Sequence, residues 1–346
     1  MATLGIVATE ARPLASAANR RIVVIVALAA LVAAAAVVGV TLLQTRGQRT
    51  TVPGAVTTPR PGRPPLDLDL GLATSAESLA LTRAQALYNA NHVAQAAAIF
   101  GRYHSLEAQL GAAFADWDGN GLATVQRLAA AHPTSAVAQL HLGIADYWAG
   151  QNADAVAAWD RTEKVGADSP YGVKAEDLLH PGTQGARTLP GLPYLVLDFG
   201  VPPAIAKLPP AARLAALARA AAKPDVRAKL LYGSALWSLE RPLSAERELA
   251  AAAKLAPHDP VARTAAAVGL YTKANPVQAF SRLGPLTGVF PRAAVVRFHL
   301  GLLLLWSGRR QKAVEQLRLA AAEQPGSPYA QDARRLLARL PGTRSK

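Results

Sequence analysis

The same residue types return every 34 residues through the last third of the chain. Three consecutive frames begin at Val226, Pro260 and Ala294. Five positions keep their character in each frame: Gly233, Ala267 and Gly301; Leu236, Leu270 and Leu304; Ala245, Ala279 and Ala313; Leu249, Leu283 and Leu317; Pro257, Pro291 and Pro325. A period of this kind, kept without a gap, is typical of one supersecondary unit stacked on copies of itself. The chain is therefore predicted to fold as a linear array, in which each unit is covered by its neighbours.

The repeated positions indicate pairs of antiparallel helices. Small residues would let the two helices of a unit touch, large ones would fill the space between units, and proline would stop the second helix. Aromatic residues make up only 5% of the chain and cysteine is absent, so neither a β-sandwich nor a disulfide scaffold is favoured. The fold class predicted is all-α.

The pattern resembles the tetratricopeptide repeat family, whose units carry small and large residues at the same spacing. The last frame matches it as Gly301, Leu304, Ala313, Leu317, Ala320 and Pro325. The middle frame departs from it with Leu286 in place of alanine and with Pro285 inside its second helix, so that helix is expected to be kinked or short. The resemblance implies a solenoid of helical hairpins.

The predicted solenoid extends over residues 71–341 and begins with less regular units. Its parts are two degenerate units in 76–133, a clear unit at 136–169, an irregular insertion at 170–225, the frames 226–259, 260–293 and 294–327, and a capping helix at 328–340. Prolines in the insertion forbid a regular first helix there. Two interpretations of the insertion stay open: a surface loop, or an extended segment from Tyr194 to Phe199 that contacts a partner or lies in the concave groove.

A membrane anchor is predicted before the solenoid. Residues 22–43 carry no charge, and at about 1.5 Å per residue they span a bilayer core of about 30 Å. This single transmembrane signal-anchor would follow a short tail, 1–21, and precede a Pro/Thr/Gly-rich linker, 44–70. A cleaved signal peptide is the alternative. Arg20 and Arg21 favour a cytoplasmic N-terminus, which predicts a single-pass plasma-membrane protein with an extracytoplasmic solenoid.

The resemblance also implies where a protein or peptide partner would bind. In the family, a few positions of each first helix line a concave groove. Carried over to this chain, those positions give a groove of mainly aromatic and apolar side chains: Tyr147, Trp148, Arg227, Leu230, Trp237, Tyr271, Phe298 and Trp306. Rigid aromatic side chains are common anchors of protein interfaces.

No motif for catalysis, a cofactor or a metal stands out in the sequence. There is no HExxH, GxSxG, Walker or GxGxxG pattern. The stretch Asp116 to Gly121 matches the start of a calcium loop, but Arg127 stands where the last ligand belongs, and the stretch falls at an expected turn. The formal charge of +14 comes from residues 1–63 and from the last third of the chain, where the basic residues are spaced as on solvated helix faces, so nucleic acid is not predicted as a partner.

Two functions follow from these observations. The first is a membrane-anchored scaffold or adaptor, without enzymatic activity, that mediates protein–protein interaction in envelope complex assembly or secretion. The second is an envelope enzyme or enzyme subunit with a site in residues 64–225, where acidic residues outnumber basic ones. A buried pair of carboxylates or a metal site beside Asp198 would favour the second.

Overall fold

The computed structural model of the protein describes residues 58–183 and 186–340. The predicted tail and anchor, 1–43, and most of the linker lie outside this part of the chain. Within the described ranges no helix combines the length and the apolar character that crossing a bilayer requires.

The first half of the solenoid consists of three helical hairpins and one further helix. Its helices are α1 (Ala76–Asn89), α2 (Val93–Phe100), α3 (Leu106–Ala115), α4 (Gly121–Ala131), α5 (Ala136–Trp148), α6 (Asn152–Val165) and α7 (Pro170–Leu179). Each helix packs on the next one along the chain, and the first helices of adjacent hairpins also touch. The degenerate region 76–133 thus contains two hairpins, α1–α2 and α3–α4.

The second half repeats this plan after an irregular stretch. A short antiparallel pair, β1 (Gly182–Thr183) and β2 (Ala186–Arg187), is followed by extended chain. The helices that follow are α8 (Pro203–Ala206), α9 (Pro210–Ala221), α10 (Val226–Ser238), α11 (Pro242–Leu255), α12 (Pro260–Val268), α13 (Val277–Leu283), α14 (Leu286–Val289), α15 (Ala294–Trp306), α16 (Arg310–Glu323) and α17 (Pro328–Arg339). The described chain is an all-α solenoid of helical hairpins.

The irregular stretch is shorter than the sequence indicates. Its first ten residues form the regular helix α7, which Ser169 caps by accepting a hydrogen bond from the backbone N–H of Gly172. Its last part holds α9, which begins at Pro210 and covers the side of α10. Helical backbone is therefore missing mainly between His180 and Pro202, and this segment runs along the solenoid.

Side-chain caps mark where many of the hairpins begin. Ser and Asp residues just before a helix accept a hydrogen bond from a backbone N–H of its first turn, which would otherwise have no partner in the helix. The caps of this kind are Ser75, Ser105, Ser135, Asp225 and Asp259. They fix the phase of each first helix and so the direction in which its side chains point.

Glycine allows the closest helix contacts, as the repeat pattern predicts. A Cβ added to Gly301 would lie 2.8 Å from Leu317 of the paired helix, and one added to Gly143 would overlap the indole of Trp159. In the middle frame the second helix is interrupted before Pro285. Two short helices, α13 and α14, therefore replace one long helix.

The hydrophobic core is divided in the same way as the helices. One cluster of buried side chains extends from Leu66 to Ala175 and a second from Leu236 to Ala333. A small cluster around Leu230 lies beside the second one. The chain thus has two halves, each with a core of its own.

Candidate functional site

Two extended segments lie along the first helices of the hairpins. We call residues 60–70 the N-terminal strap and residues 190–199 the C-terminal strap; neither contains a helix or a paired strand. Leu66 and Leu68 of the N-terminal strap are only 2% and 6% exposed. The straps are therefore part of the folded core and not loose connections.

The C-terminal strap covers much of the predicted groove. The indole of Trp237 donates a hydrogen bond to the carbonyl of Pro193 at 2.5 Å, and the indole of Trp306 donates to the carbonyl of Pro190 at 3.2 Å. The ring of Tyr194 packs on Trp306, with ring centroids 5.8 Å apart. Of the two interpretations of the insertion, the structure supports the extended segment lying in the groove.

The rest of that groove lies under the same strap. Tyr194 packs against Phe298, with ring centroids 6.2 Å apart. Leu230 is buried among apolar strap residues that include Phe199, and the guanidinium of Arg227 lies 4.4 Å above the Phe199 ring. Phe298 and Leu230 are buried core residues, whereas Arg227 is exposed beside the strap.

Tyr271 differs from the other predicted groove residues. It is 1% exposed and belongs to the core of the second half. Burial raises its pKa to about 12, because the phenolate would lose its hydration. Tyr271 therefore presents no surface to a partner in this conformation.

Tyr147 and Trp148 meet the start of the N-terminal strap. The guanidinium of Arg60 lies 3.4 Å above the ring of Tyr147 and donates to its carbonyl at 2.7 Å. The backbone N–H of Arg60 donates to the carbonyl of Trp148 at 2.7 Å. Both aromatic residues keep some exposure. Contact of a partner with the eight predicted residues stays a prediction, since in this structure other parts of the same chain contact these side chains.

The backbone of the N-terminal strap is held by side chains of the helices. Four consecutive N–H groups, from Leu66 to Asp69, each donate to a different side chain. The acceptors are Asn89 Oδ1 at 3.3 Å, His141 Nε2 at 3.3 Å, Gln85 Oε1 at 2.6 Å and Tyr171 Oη at 2.9 Å. An extended backbone presents N–H groups to alternate sides, and these acceptors alternate between α1 and the pair α5 and α7.

Two of these side chains also donate to the strap. The Asn89 amide donates to the carbonyl of Leu66 at 3.0 Å, and the Tyr171 hydroxyl donates to the carbonyl of Asp69 at 3.0 Å. The Tyr88 hydroxyl donates to the carbonyl of Pro64 at 2.7 Å. Backbone groups of a buried segment need such partners, because leaving one unpaired costs about 1–3 kcal/mol.

Each strap is held by a buried histidine in one defined tautomer. Nδ1 of His141 lies 2.7 Å from the carbonyl of Val137, and Nδ1 of His299 lies 2.8 Å from the carbonyl of Val295. The carbonyl requires a proton on Nδ1, which leaves Nε2 as an acceptor. Nε2 accepts from the N–H of Asp67 in the first half and, at 3.1 Å, from the N–H of Val196 in the second.

Neither histidine belongs to the predicted groove set. Both stand just before the leucine–glycine pair of their hairpins, where a side chain is expected to be a packing neighbour. Burial lowers the pKa of both imidazoles, and that of His299 to about 4. Two sequence signals could identify them. His-Leu-Gly recurs in two hairpins, and the pattern Leu-x-Leu-Asp-Leu/Phe-Gly recurs at 66–71 and 195–200.

An acidic cavity of about 300 Å³ lies between the two halves. It is lined by Asp67, Asp69, Asp177 and Glu240, together with Lys174. Burial raises the pKa of Glu240, and the nearby aspartates raise it further. In the described part of the chain no three acidic or histidine side chains are arranged to hold a metal ion. Three carboxylates of the first half, Asp67, Asp69 and Asp177, therefore lie here together with Glu240 of the second half.

The Asp-rich turn after α3 takes part in local hydrogen bonding. Asp116 accepts a hydrogen bond from the backbone N–H of Asn120 at 3.0 Å, and Asp118 forms an ion pair with Arg63 at the start of the N-terminal strap. The bond between Asp116 and Asn120 is typical of a turn that joins two helices, whereas the ion pair of Asp118 fastens this turn to the N-terminal strap.

Comparison with known proteins leaves the family of this chain open. No family model and no curated protein matches it. Among solved structures it matches YrrB, described as a tetratricopeptide repeat protein with an unusual peptide-binding site, at 15% identity over 76% of this chain and 100% of the other, with a TM-score of 0.26. It matches the TPR2AB domain of yeast Sti1, solved with an HSP90 peptide, at 12% identity over 76% and 96%, with a TM-score of 0.28.

A third match is part of a repeat protein from Cytophaga hutchinsonii, at 11% identity over 73% of this chain and 98% of the other, with a TM-score of 0.25. Such low scores carry no argument about function. The chain's own hairpins, with Gly301 against Leu317 and Gly143 against Trp159, define an all-α solenoid of helical hairpins.

Proposed function

We propose that this chain is a scaffold for protein–protein interaction, without enzymatic activity, held in the plasma membrane by residues 22–43 with the solenoid on the extracytoplasmic side. Its role there would be to hold a protein or peptide partner during assembly of an envelope complex or during secretion. The observation that carries the proposal is that extended chain lies along the first helices of both halves, as the N-terminal strap in the first and the C-terminal strap in the second. Grooves that bind an extended segment through aromatic, histidine and amide side chains have the chemistry of a peptide-binding surface.

The location can be tested with charge substitutions in the apolar segment. Leu31→Arg combined with Val37→Arg places two charges in the middle of residues 22–43, where each costs about 2.5–3.5 kcal/mol on insertion. We expect the doubly substituted chain to leave the membrane fraction, while wild type stays through a carbonate wash. Thr50→Arg with Thr57→Arg in the linker is the matched control. Retention of the Leu31/Val37 variant would contradict the anchor.

The partner can be tested at one groove residue and one strap residue that keep part of their surface exposed. Trp237 and Tyr271 are buried, so their substitution would damage the fold and not report on binding. Tyr194 and Trp306 keep part of their surface exposed. We expect Tyr194→Ala with Trp306→Ala to lose proteins that wild type crosslinks in native membranes, whereas Leu255→Ala, an exposed position at the end of α11, keeps them. Equal recovery from both variants would argue against the groove.

A further inference from the structure

The last hairpin and final helix of each half are related by a second, longer repeat. Residues 136–179 align with residues 294–337 without a gap, and 15 of the 44 pairs are identical. The identical positions are not confined to the small and large residues of the 34-residue pattern. They include His141 with His299, Trp148 with Trp306, and the Ser-Pro-Tyr sequences that contain Tyr171 and Tyr329.

The straps are also related to each other. Residues 66–72 read Leu-Asp-Leu-Asp-Leu-Gly-Leu, and residues 195–201 read Leu-Val-Leu-Asp-Phe-Gly-Val. The shared pattern is Leu-x-Leu-Asp-Leu/Phe-Gly. The straps are 129 residues apart whereas the hairpins are 158 apart, because α8 and α9 follow only the second strap.

Although the two separations differ, each strap meets its hairpin in the same register. The second residue of the pattern is Asp67 in the first half and Val196 in the second, and its N–H donates to the histidine of that half. A proline carbonyl just before the pattern accepts from an aromatic side chain: Tyr88 in the first half and Trp237 in the second. The register is the same in the two halves although the chain between strap and hairpin differs in length. This indicates that the contacts with the helices position the pattern.

The groove recognises both the backbone and the side chains of the pattern. The histidine and the Ser-Pro-Tyr tyrosine of the first half bind backbone N–H groups, so they select extended chain. The two leucines, Leu66 and Leu68, are buried in the core of that half, so they select sequence. Alternate leucines on an extended backbone present both side chains to one face.

The two straps differ in how the described chain holds them. The C-terminal strap is joined to helices at both ends, α7 before it and α8 after it. The N-terminal strap is joined to a described helix only on its C-terminal side, through the exposed residues 73–75. Its ion pair between Asp67 and Lys174 is half exposed on both sides and is therefore weakened by salt.

We infer that the groove formed by α1, α5 and α7 is a binding site for an extended partner segment with the pattern Leu-x-Leu-Asp-Leu/Phe-Gly. The N-terminal strap is a built-in ligand that occupies this site until such a segment replaces it. The inference rests on the proposed scaffold function and names the chemical class of its partner. His141 and Tyr171 set the register, and the pocket for the two leucines sets the sequence.

A cleavable strap makes the exchange measurable in the full chain. A protease recognition sequence inserted between Ala73 and Thr74 lets the strap be cut after folding, so that it is held by its contacts alone. Labelled peptides with the sequences of residues 58–72 and 188–202 are then titrated by fluorescence anisotropy. We expect both peptides to bind the cut protein, to displace the cut strap, and to bind the uncut protein about tenfold or more weakly, because the tethered strap competes.

Matched variants test whether the pattern is recognised. A 58–72 peptide carrying Leu66→Asp and Leu68→Asp should bind at least about tenfold more weakly, because two buried apolar side chains are lost. In the protein, Tyr171→Phe removes the hydroxyl that contacts Asp69 and should weaken binding about tenfold. Tyr329→Phe, the equivalent change in the second half, should leave binding to the first groove unchanged.

Three results would overturn the inference: a cut strap that peptides do not displace, equal binding of the Leu66/Leu68-substituted peptide, or dimers of the uncut chain formed by mutual exchange of straps. The last result would make a second copy the occupant. Failure of the anchor or crosslinking experiments would contradict the scaffold proposal alone, since the exchange is measured on purified protein.

Discussion

At the scale of residues, the buried histidines link the fold to pH. A neutral imidazole in each half accepts from a strap N–H while its Nδ1 is bound to the helix carbonyl. If Nε2 were protonated, its N–H would face the strap N–H, and two hydrogen-bond donors would lie against each other. Burial is the main reason why the pKa of each histidine lies below its ordinary value.

Stability is expected to fall on acidification. His299 has an ordinary pKa of about 6.5 when unfolded and a pKa of about 4 when folded, so the unfolded chain binds the proton first. Its contribution, about 3 kcal/mol, is present above pH 6.5 and is lost as the pH falls toward 4. Urea unfolding between pH 8 and 4 would measure it.

A variant separates the histidine contribution from other groups. Burial raises the pKa of Glu176, Glu240 and Asp146, and their protonation favours the folded state as the pH falls. The difference between wild type and His299→Gln should therefore shrink from pH 8 to pH 4, while His258→Gln, at an exposed position, should follow wild type throughout. A pH-independent difference for His299→Gln would contradict the assignment.

At the scale of elements, glycine contacts determine how closely paired helices approach. Gly143 of α5 faces the indole of Trp159 in α6, and a Cβ would also lie 3.0 Å from the carbonyl of Ala155. An indole and a backbone group cannot move aside as a flexible side chain can. The hairpin α5–α6 is thus more sensitive than α15–α16, where Leu317 faces Gly301.

Gly143→Ala should destabilise the protein by about 1–3 kcal/mol, because the added methyl group forces the two helices apart. Gly326→Ala is the control, since nothing lies within 4 Å of its added Cβ. Chemical denaturation monitored by circular dichroism measures both. If Gly143→Ala proved as stable as the control, the close approach of α5 and α6 would be wrong.

At the scale of the whole molecule, a buried ion pair joins the two halves. Lys273, which follows α12, pairs with Asp177 of α7, and their side chains are only 2% and 14% exposed. Asp177 also accepts a hydrogen bond from the N–H of Gly191 of the C-terminal strap at 2.9 Å. Asp168 and Ser244 make a further polar contact across the same boundary at 2.5 Å.

Asp177→Asn keeps the shape but removes the ion-pair partner of the buried Lys273 charge, which should cost about 3–5 kcal/mol. We expect unfolding of this variant to divide into two steps, because repeat arrays lose cooperativity when an interface is weakened. Adding Lys273→Met should recover much of the loss. The pair of Asp332 with the exposed Arg335 provides the control: Asp332→Asn should change stability by less than about 1 kcal/mol.

The sequence by itself determined the hairpins, because the spacing of Gly301, Ala313 and Leu317 reports contacts between neighbouring helices. Such contacts are local, and every unit repeats them. Pro285 likewise predicted the break between α13 and α14, because proline lacks the backbone N–H that a helix interior needs, whatever surrounds it. Seven of the eight predicted groove residues also lie on first helices, whereas Tyr271 follows the end of α12; a partner at those positions remains a prediction.

Only the tertiary structure decided what covers that groove. The contact between Asp67 and His141 joins residues 74 positions apart, and the contact between Val196 and His299 joins residues 103 apart. No helical period relates such pairs, because an extended strap can lie at any register on a helix surface until hydrogen-bond partners fix it. The repeat therefore encodes the hairpins, while burial of the straps and the long-range hydrogen bonds of two histidines decide which surfaces remain for a partner.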